Sequence, residues 1–173
     1  MLRRLFSTGF TGFSGLTGEF KNTIDSSHKF YHNTNLFFLL ILSKQITMET
    51  NILTSEIIRA AYNVHNALGA GFLEKVYHNA MLVELESAGF KICSQYPINV
   101  FYKGVQVGEY YADLLIEDKV IVEFKAVEEI HPAHEIQLVN YLQATKIDIG
   151  LLINFGSSVE IKRKFRIYKK QRQ

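Results

Sequence analysis

Three charged side chains stand where an apolar strand pattern leaves little room for them. In the stretch YYADLLIEDKVIVEFKAV, residues 110–127, Asp113, Glu123 and Lys125 flank two short runs of β-forming residues, Leu114-Leu115-Ile116 and Val120-Ile121-Val122. Runs of this kind belong to strands covered on both faces, where an unpaired charge is costly. If Glu117-Asp118-Lys119 forms a three-residue loop, Ile116 faces Val120 and Asp113 faces Glu123 on one side of the sheet. Lys125, two residues on, shares that side. Two facing carboxylates repel unless a cation lies between them, and a divalent metal with oxygen ligands suits the pair, with the ammonium beside it. A two-residue turn would separate the acids unless a bulge restored them. A surface hairpin with an ordinary cross-strand Lys–Glu pair would use the same residues.

The elements that must position these residues follow from periodicity. From Ser55, apolar residues Ile57, Ile58, Ala61, Val64 and Leu68 recur at helical spacing and Gly69 stops the run. A second helix is expected from Leu73 to Ser87, ended by Gly89. Strands follow at Ile92–Tyr96, Ile98–Tyr102, Val105–Ile116 and Lys119–Val127, with a turn at Lys103-Gly104. A third helix starts after Pro132 and runs over Ala133–Ala144. Ile149–Phe155 reads as a buried strand and Ile161–Tyr168 as a last one. The expected fold is a mixed α/β domain whose central sheet has helices on its faces.

Composition sets bounds on this chemistry. A chain of 173 residues with 47% hydrophobic and 21% charged residues suits one globular domain with a real core. A single cysteine, Cys93, excludes an internal disulfide and a multi-cysteine zinc site, and fits a reducing, cytoplasmic setting. The net charge of +2 gives no global signal for nucleic acid. Seven basic residues without an acid lie between Lys162 and Arg172, either a contact for phosphate backbones or a solvated tail. The longest apolar run, Leu36–Leu42, is too short for a membrane span.

Residues 1–47 are rich in Gly, Ser, Thr, Phe and Asn and show no sustained period. They are expected to be a disordered leader, or upstream sequence read from a start placed too early, with the domain spanning 48–173. An acid-poor organelle-targeting peptide is the rival reading.

Three motifs resemble a known family. Gly71-Phe72-Leu73-Glu74-Lys75-Val76-Tyr77 resembles the signature of the GxxExxY proteins. Asp113 followed by Glu123-Phe124-Lys125 resembles the D…(D/E)XK core of the PD-(D/E)XK nuclease superfamily, to which those proteins are assigned. Gln137-Leu138-Val139-Asn140-Tyr141 resembles the QxxxY helix motif of its exonuclease-like branch. The resemblance covers residues 50–168, and Ala112 stands where the superfamily name has Pro.

The resemblance implies a restriction-endonuclease-like fold and a metal-dependent nuclease acting on nucleic acid, DNA before RNA. It implies Mg²⁺ or Mn²⁺ held by Asp113, Glu123 and the Phe124 backbone carbonyl. Lys125 would then stabilise the pentacovalent phosphate or steer the attacking water. Glu74 would hold a water at the site, and Tyr77, Gln137 and Tyr141 would contact substrate. With Gly71 as N-cap, Glu74 would instead sit at N3 as a capping carboxylate. The alternatives on the same fold are a catalytically silent nucleic-acid- or protein-binding module, or a regulatory subunit in a larger complex or homo-oligomer. His131 and Glu135 are four residues apart, but Pro132 between them marks a helix start rather than a metal site.

Overall fold

The computed structural model describes the backbone of residues 23–168 and the side chains of residues 38–168. Residues 1–22 of the expected leader, and Lys169, Lys170 and Arg172 of the basic run, lie outside the described residues. The chain divides into two compact units, Met1–Gln45 and Ile46–Gln173, and the second carries the sheet. Helix α1 spans Thr23–Leu68, so helix begins well before Ser55, where the periodicity starts. The upstream apolar residues form one contiguous run, which carries no three- and four-residue signal. Downstream, Leu53, Ile57, Ala60, Ala61 and Val64 keep that spacing and are buried.

The remaining elements are α2 (Glu74–Ser87), β1 (Ile92–Tyr102), β2 (Val105–Ile116), β3 (Val120–Lys125), α3 (Pro132–Thr145), β4 (Ile149–Phe155) and β5 (Val159–Phe165). They form a five-stranded mixed sheet in the order β1-β2-β3-β4-β5, with three helices. Only β3 and β4 are parallel, and α3 is the crossover between them. The two strands expected at 92–96 and 98–102 are one. Pro97 does not end β1, because β1 is an edge strand and can do without that N–H.

The hairpin that carries the charges has the register set by a three-residue loop. Ile116 pairs with Val120, Leu115 with Ile121 and Leu114 with Val122. Glu117 and Asp118 both take left-handed φ, 53° and 54°, and the Lys119 N–H donates to Ile116 O at 3.0 Å. Neither residue is glycine, so this turn is strained unless something holds it. Lys91 holds it: its N–H donates to Glu117 Oε1 at 2.8 Å, its carbonyl accepts from Glu117 N–H at 2.9 Å, and its ammonium meets Asp118 at 2.6 Å.

Apolar side chains fill both faces of the sheet. Tyr77, Met81 and Leu85 of α2 pack with Leu114, Val122, Phe124, Ile153 and Phe155. Leu138, Tyr141 and Leu142 of α3 pack with Ile98, Ala112, Leu115, Ile121 and Leu152. Strict alternation would place Ala112 and Leu114 on one face, yet they lie in different cores. Strand β2 therefore rolls over at Asp113. Opposite it Gln95 is left-handed, with φ 52°, and the β1–β2 ladder skips both residues.

On the other side of the sheet α3 sits close to β4. A Cβ at Gly150 would meet Leu138 Cδ1 at 2.6 Å, so glycine gives that side chain room to seat against β4. Lys162, Arg163 and Lys164 of the expected basic tail lie in β5 and Arg166 just follows it; Lys162 pairs with Glu160, Lys164 with Glu135 and Arg166 with Asp148. Among the described residues, no helix is long and apolar enough to cross a membrane.

Candidate active site

Glu123 is the centre of the candidate site. It occupies a strand position between buried Val122 and Phe124 and is itself 5% exposed. Its Oε1 is buried without a hydrogen-bond partner. Burial pushes its carboxyl up to about 8, the charge of Asp113 adds to this, and Lys125 pulls less strongly the other way. A carboxylate this poorly solvated calls for a cation.

Asp113, Glu123 and Lys125 come together, and each is held by the strands that carry it. Asp113 Oδ2 accepts the Phe124 N–H at 2.8 Å, which ties the β2 acid to the backbone between the other two residues. Lys125 Nζ lies 4.0 Å from Glu123 Oε2 and donates to Phe124 O at 2.7 Å. From α2, Glu74 Oε2 reaches Lys125 Nζ at 3.6 Å. Four charged groups from three elements thus converge on one end of β3.

Glu74 does not cap α2 from N3. Leu73 is the N-cap, in extended conformation and without a side-chain cap bond, so Glu74 is the first helical residue. Gly71, at φ 98°, belongs to the loop instead. A carboxylate in the first turn still meets the helix dipole favourably, but its partner here is Lys125. Tyr77 was expected beside Glu74 facing substrate, and it is fully buried. Its hydroxyl donates to Gly69 O at 2.8 Å and accepts from Phe72 N–H at 3.3 Å, and its ring stacks on Phe155 at 4.5 Å. Tyr77 fixes the loop that presents Glu74.

On α3, Gln137 Nε2 donates to Tyr141 Oη at 2.7 Å. Tyr141 is 5% exposed. Burial pushes its phenol up, and the negative charges of Glu123 and Asp113 add to this, so the hydroxyl stays protonated near both acids. At the start of α3, His131 serves as N-cap, with Nδ1 accepting the Ala133 N–H at 3.2 Å, while Glu135 pairs with Lys164.

Two neighbours of the site were not read from the sequence as part of it. Asn154, 2% exposed, stands opposite Lys125 on β4. Its side-chain amide clamps Val127, accepting the N–H at 3.0 Å and donating to the carbonyl at 2.9 Å. The chain is thereby fixed two residues past Lys125. Within an apolar run, one Asn whose partner is backbone gives no pattern to recognise. His78 lays its ring edge-on to Phe124, with Nε2 3.4 Å from Asp113 O and 3.3 Å from Ser94 Oγ. Its spacing of four from Glu74 was the available signal.

The residues fit a metal. Asp113, Glu123 and the Phe124 carbonyl offer only oxygen, the donor set of Mg²⁺ or Mn²⁺, and the orphaned Glu123 Oε1 lacks the partner a cation would supply. Among the described residues no group of three or more His, Cys, Asp or Glu side chains is placed to hold a metal ion, so a cation here would rest on two carboxylates and the carbonyl, with water or phosphate completing its coordination.

A family model described as the PD-(D/E)XK nuclease superfamily matches residues 51–165. No curated protein matches the chain. Among solved structures, the crystal structure of SSO0001 superposes with a TM-score of 0.43 at 15% identity, over 55% of this chain. The chain spans 50% of the length of that protein.

Proposed function

This chain belongs to the PD-(D/E)XK nuclease superfamily, and from that we propose that it is a metal-dependent nuclease hydrolysing phosphodiester bonds of nucleic acid, DNA first among its substrates. We place it with the GxxExxY proteins on the strength of Gly71, Glu74 and Tyr77. The observation that carries the catalytic reading is the buried, unpartnered Glu123 Oε1 beside Asp113 and Lys125.

Asp113, Glu123 and the Phe124 carbonyl are the groups that would hold Mg²⁺ or Mn²⁺. When bound, the metal supplies a Lewis acid that neutralises phosphate charge and acidifies a water. Lys125 supplies the second positive charge, which matters most where negative charge develops on the phosphate oxygens. Glu74, 3.6 Å from that ammonium, helps to hold it and can accept a hydrogen bond from the attacking water. Gln137 and Tyr141 present an amide and a protonated hydroxyl as phosphate donors. Tyr77 and Asn154 touch no substrate in this scheme; they hold the loops that carry Glu74 and follow Lys125.

The test is cleavage by the purified full chain. Single- and double-stranded DNA and RNA should be incubated with Mg²⁺ or Mn²⁺, with EDTA and Lys125→Ala as controls. Metal-dependent cleavage lost in both controls supports the reading. If every substrate stays intact and calorimetry finds no metal bound at millimolar Mg²⁺, the reading fails and a silent binding module takes its place.

A further inference from the structure

An open groove of about 1020 Å³ adjoins the candidate site, between α3 and the distal half of the β1–β2 ribbon. That volume is at the upper end of what ligand pockets fill. Phe101 and Tyr110 supply exposed aromatic surface beside aliphatic Val107 and Ile136, and the amides of Gln137, Asn140 and Gln143 run along the helical wall. Lys146 is its charged lining residue, and no acidic side chain lines it. Tyr141 and Gln137 belong to both places, so the groove opens directly from the candidate site.

The ribbon is shaped to present this surface. A register shift between Val100 and Phe101 lets consecutive side chains line the groove, where strict alternation would admit only one. Gly108 keeps room for the neighbouring ring, since a Cβ there would meet Tyr110 Cε2 at 3.2 Å. The Tyr110 ring in turn lies 5.9 Å from that of Tyr141. Rings, amides and one lysine, with no carboxylate, complement a nucleotide: a base face to stack on, base edges to hydrogen-bond, a phosphate to neutralise.

We propose that this groove binds unstacked bases of a single-stranded nucleic acid next to the scissile phosphate. The proposal rests on the nuclease reading and deepens it by naming the substrate class. In a duplex the base faces are covered by their neighbours, so the Phe101 and Tyr110 rings have nothing to stack on. An unpaired strand leaves those faces free. It can lay its phosphates across Glu123 and Lys125 while its bases turn into the groove.

The experiment is fluorescence anisotropy on the full chain in EDTA at fixed salt, where binding needs no metal and nothing is cut. Labelled oligothymidylate and oligouridylate strands, a duplex of equal length and an abasic strand are the probes. Both single strands or either one should bind at least roughly tenfold more tightly than the duplex, and the preference between them names the sugar. The double variant Phe101→Ala, Tyr110→Ala should lose roughly tenfold or more on the normal strand and little on the abasic one, because stacking is what it removes. At 62% and 51% exposure these two residues lie outside the core, and an unchanged thermal melt checks that.

Equal binding of duplex and single strand overturns the proposal, as does a double variant that binds like the parent. So does a dimer in sedimentation that the double variant converts to monomer, since the groove would then be covered by a second copy. Failure of the nuclease reading looks different: stacking-dependent binding persists while no substrate is cut with Mg²⁺.

Discussion

The Asp113 carboxylate and the Phe124 amide are joined across two strands by a 2.8 Å hydrogen bond, which places one acid against the backbone between Glu123 and Lys125. An asparagine can keep that bond through its carbonyl oxygen while shedding the charge that repels Glu123. Asp113→Asn should therefore leave stability in EDTA unchanged or raised by about 1 kcal/mol, and weaken Mg²⁺ binding at least about tenfold. Thermal melts and calorimetry check the two halves. Unfolding of the variant would instead make Asp113 the structural partner of a buried pair.

Glu123 makes stability depend on pH. Its carboxyl titrates near 8 in the folded protein against an ordinary value of 4.5. Between those values the folded state holds a proton that the unfolded chain releases, so this group's contribution to stability is most favourable below about pH 4.5 and is lost as pH rises to 8. Urea melts in EDTA at pH 5 and pH 8 should differ by something on the order of a few kcal/mol. Glu123→Gln should flatten this slope, and Mg²⁺ should recover stability at pH 8 only in the parent protein.

Lys125 and Glu74 should separate by severity. Lys125→Ala should keep metal binding and lose about two or more orders of magnitude in cleavage rate, because the charge acts mainly in the transition state. Glu74 is half-exposed, so Glu74→Gln should cost less rate and should shift stability by no more than about 0.5 kcal/mol. Single-turnover rates and melts on both variants decide this.

Asn154→Leu should strand the Val127 N–H and carbonyl together. A loss of about 1–3 kcal/mol is expected, with slower cleavage, since the loop after Lys125 loses its clamp. Chemical denaturation together with kinetics on the folded fraction measures each effect. Stability unchanged from the parent would show that the clamp is dispensable.

A chain beginning at Met48 should melt within about 4 °C of the full chain. Among the described residues the core begins at Leu53, and Glu49, which pairs with Lys119, is retained. A larger drop would mean that upstream residues support the fold.

The elements that carry the proposed site could be read because their signals are local. The loop Glu117-Asp118-Lys119 fixes the hairpin register as far as Leu114 opposite Val122, and beyond it Asp113 meets β3 through the Phe124 N–H. Pro132 marks the start of α3, and the spacing of four puts Gln137 beside Tyr141. What escaped depends on distant partners or on context. The burial of Tyr77 is decided by Phe155, 78 positions away in sequence, and by the loop carbonyl of Gly69. Pro97 reads as a break until β1 is known to be an edge. The roll of β2 at Asp113 arises where both cores compete for one strand, which no single periodicity describes.

Gly150 acts as a spacer between the sheet and α3, the two layers that carry the proposed site. Asp113, Glu123 and Lys125 are rooted in the sheet, whereas Gln137 and Tyr141 ride on α3, whose Leu138 seats directly over that glycine. One added methyl would press on the Leu138 side chain, which must then shift within the core or move α3 with it. Displacements near 1 Å are enough to cost about a hundredfold in rate. For the proposed nuclease, the spacing between strand and helix groups thus depends on a residue that has no side chain and would touch no substrate.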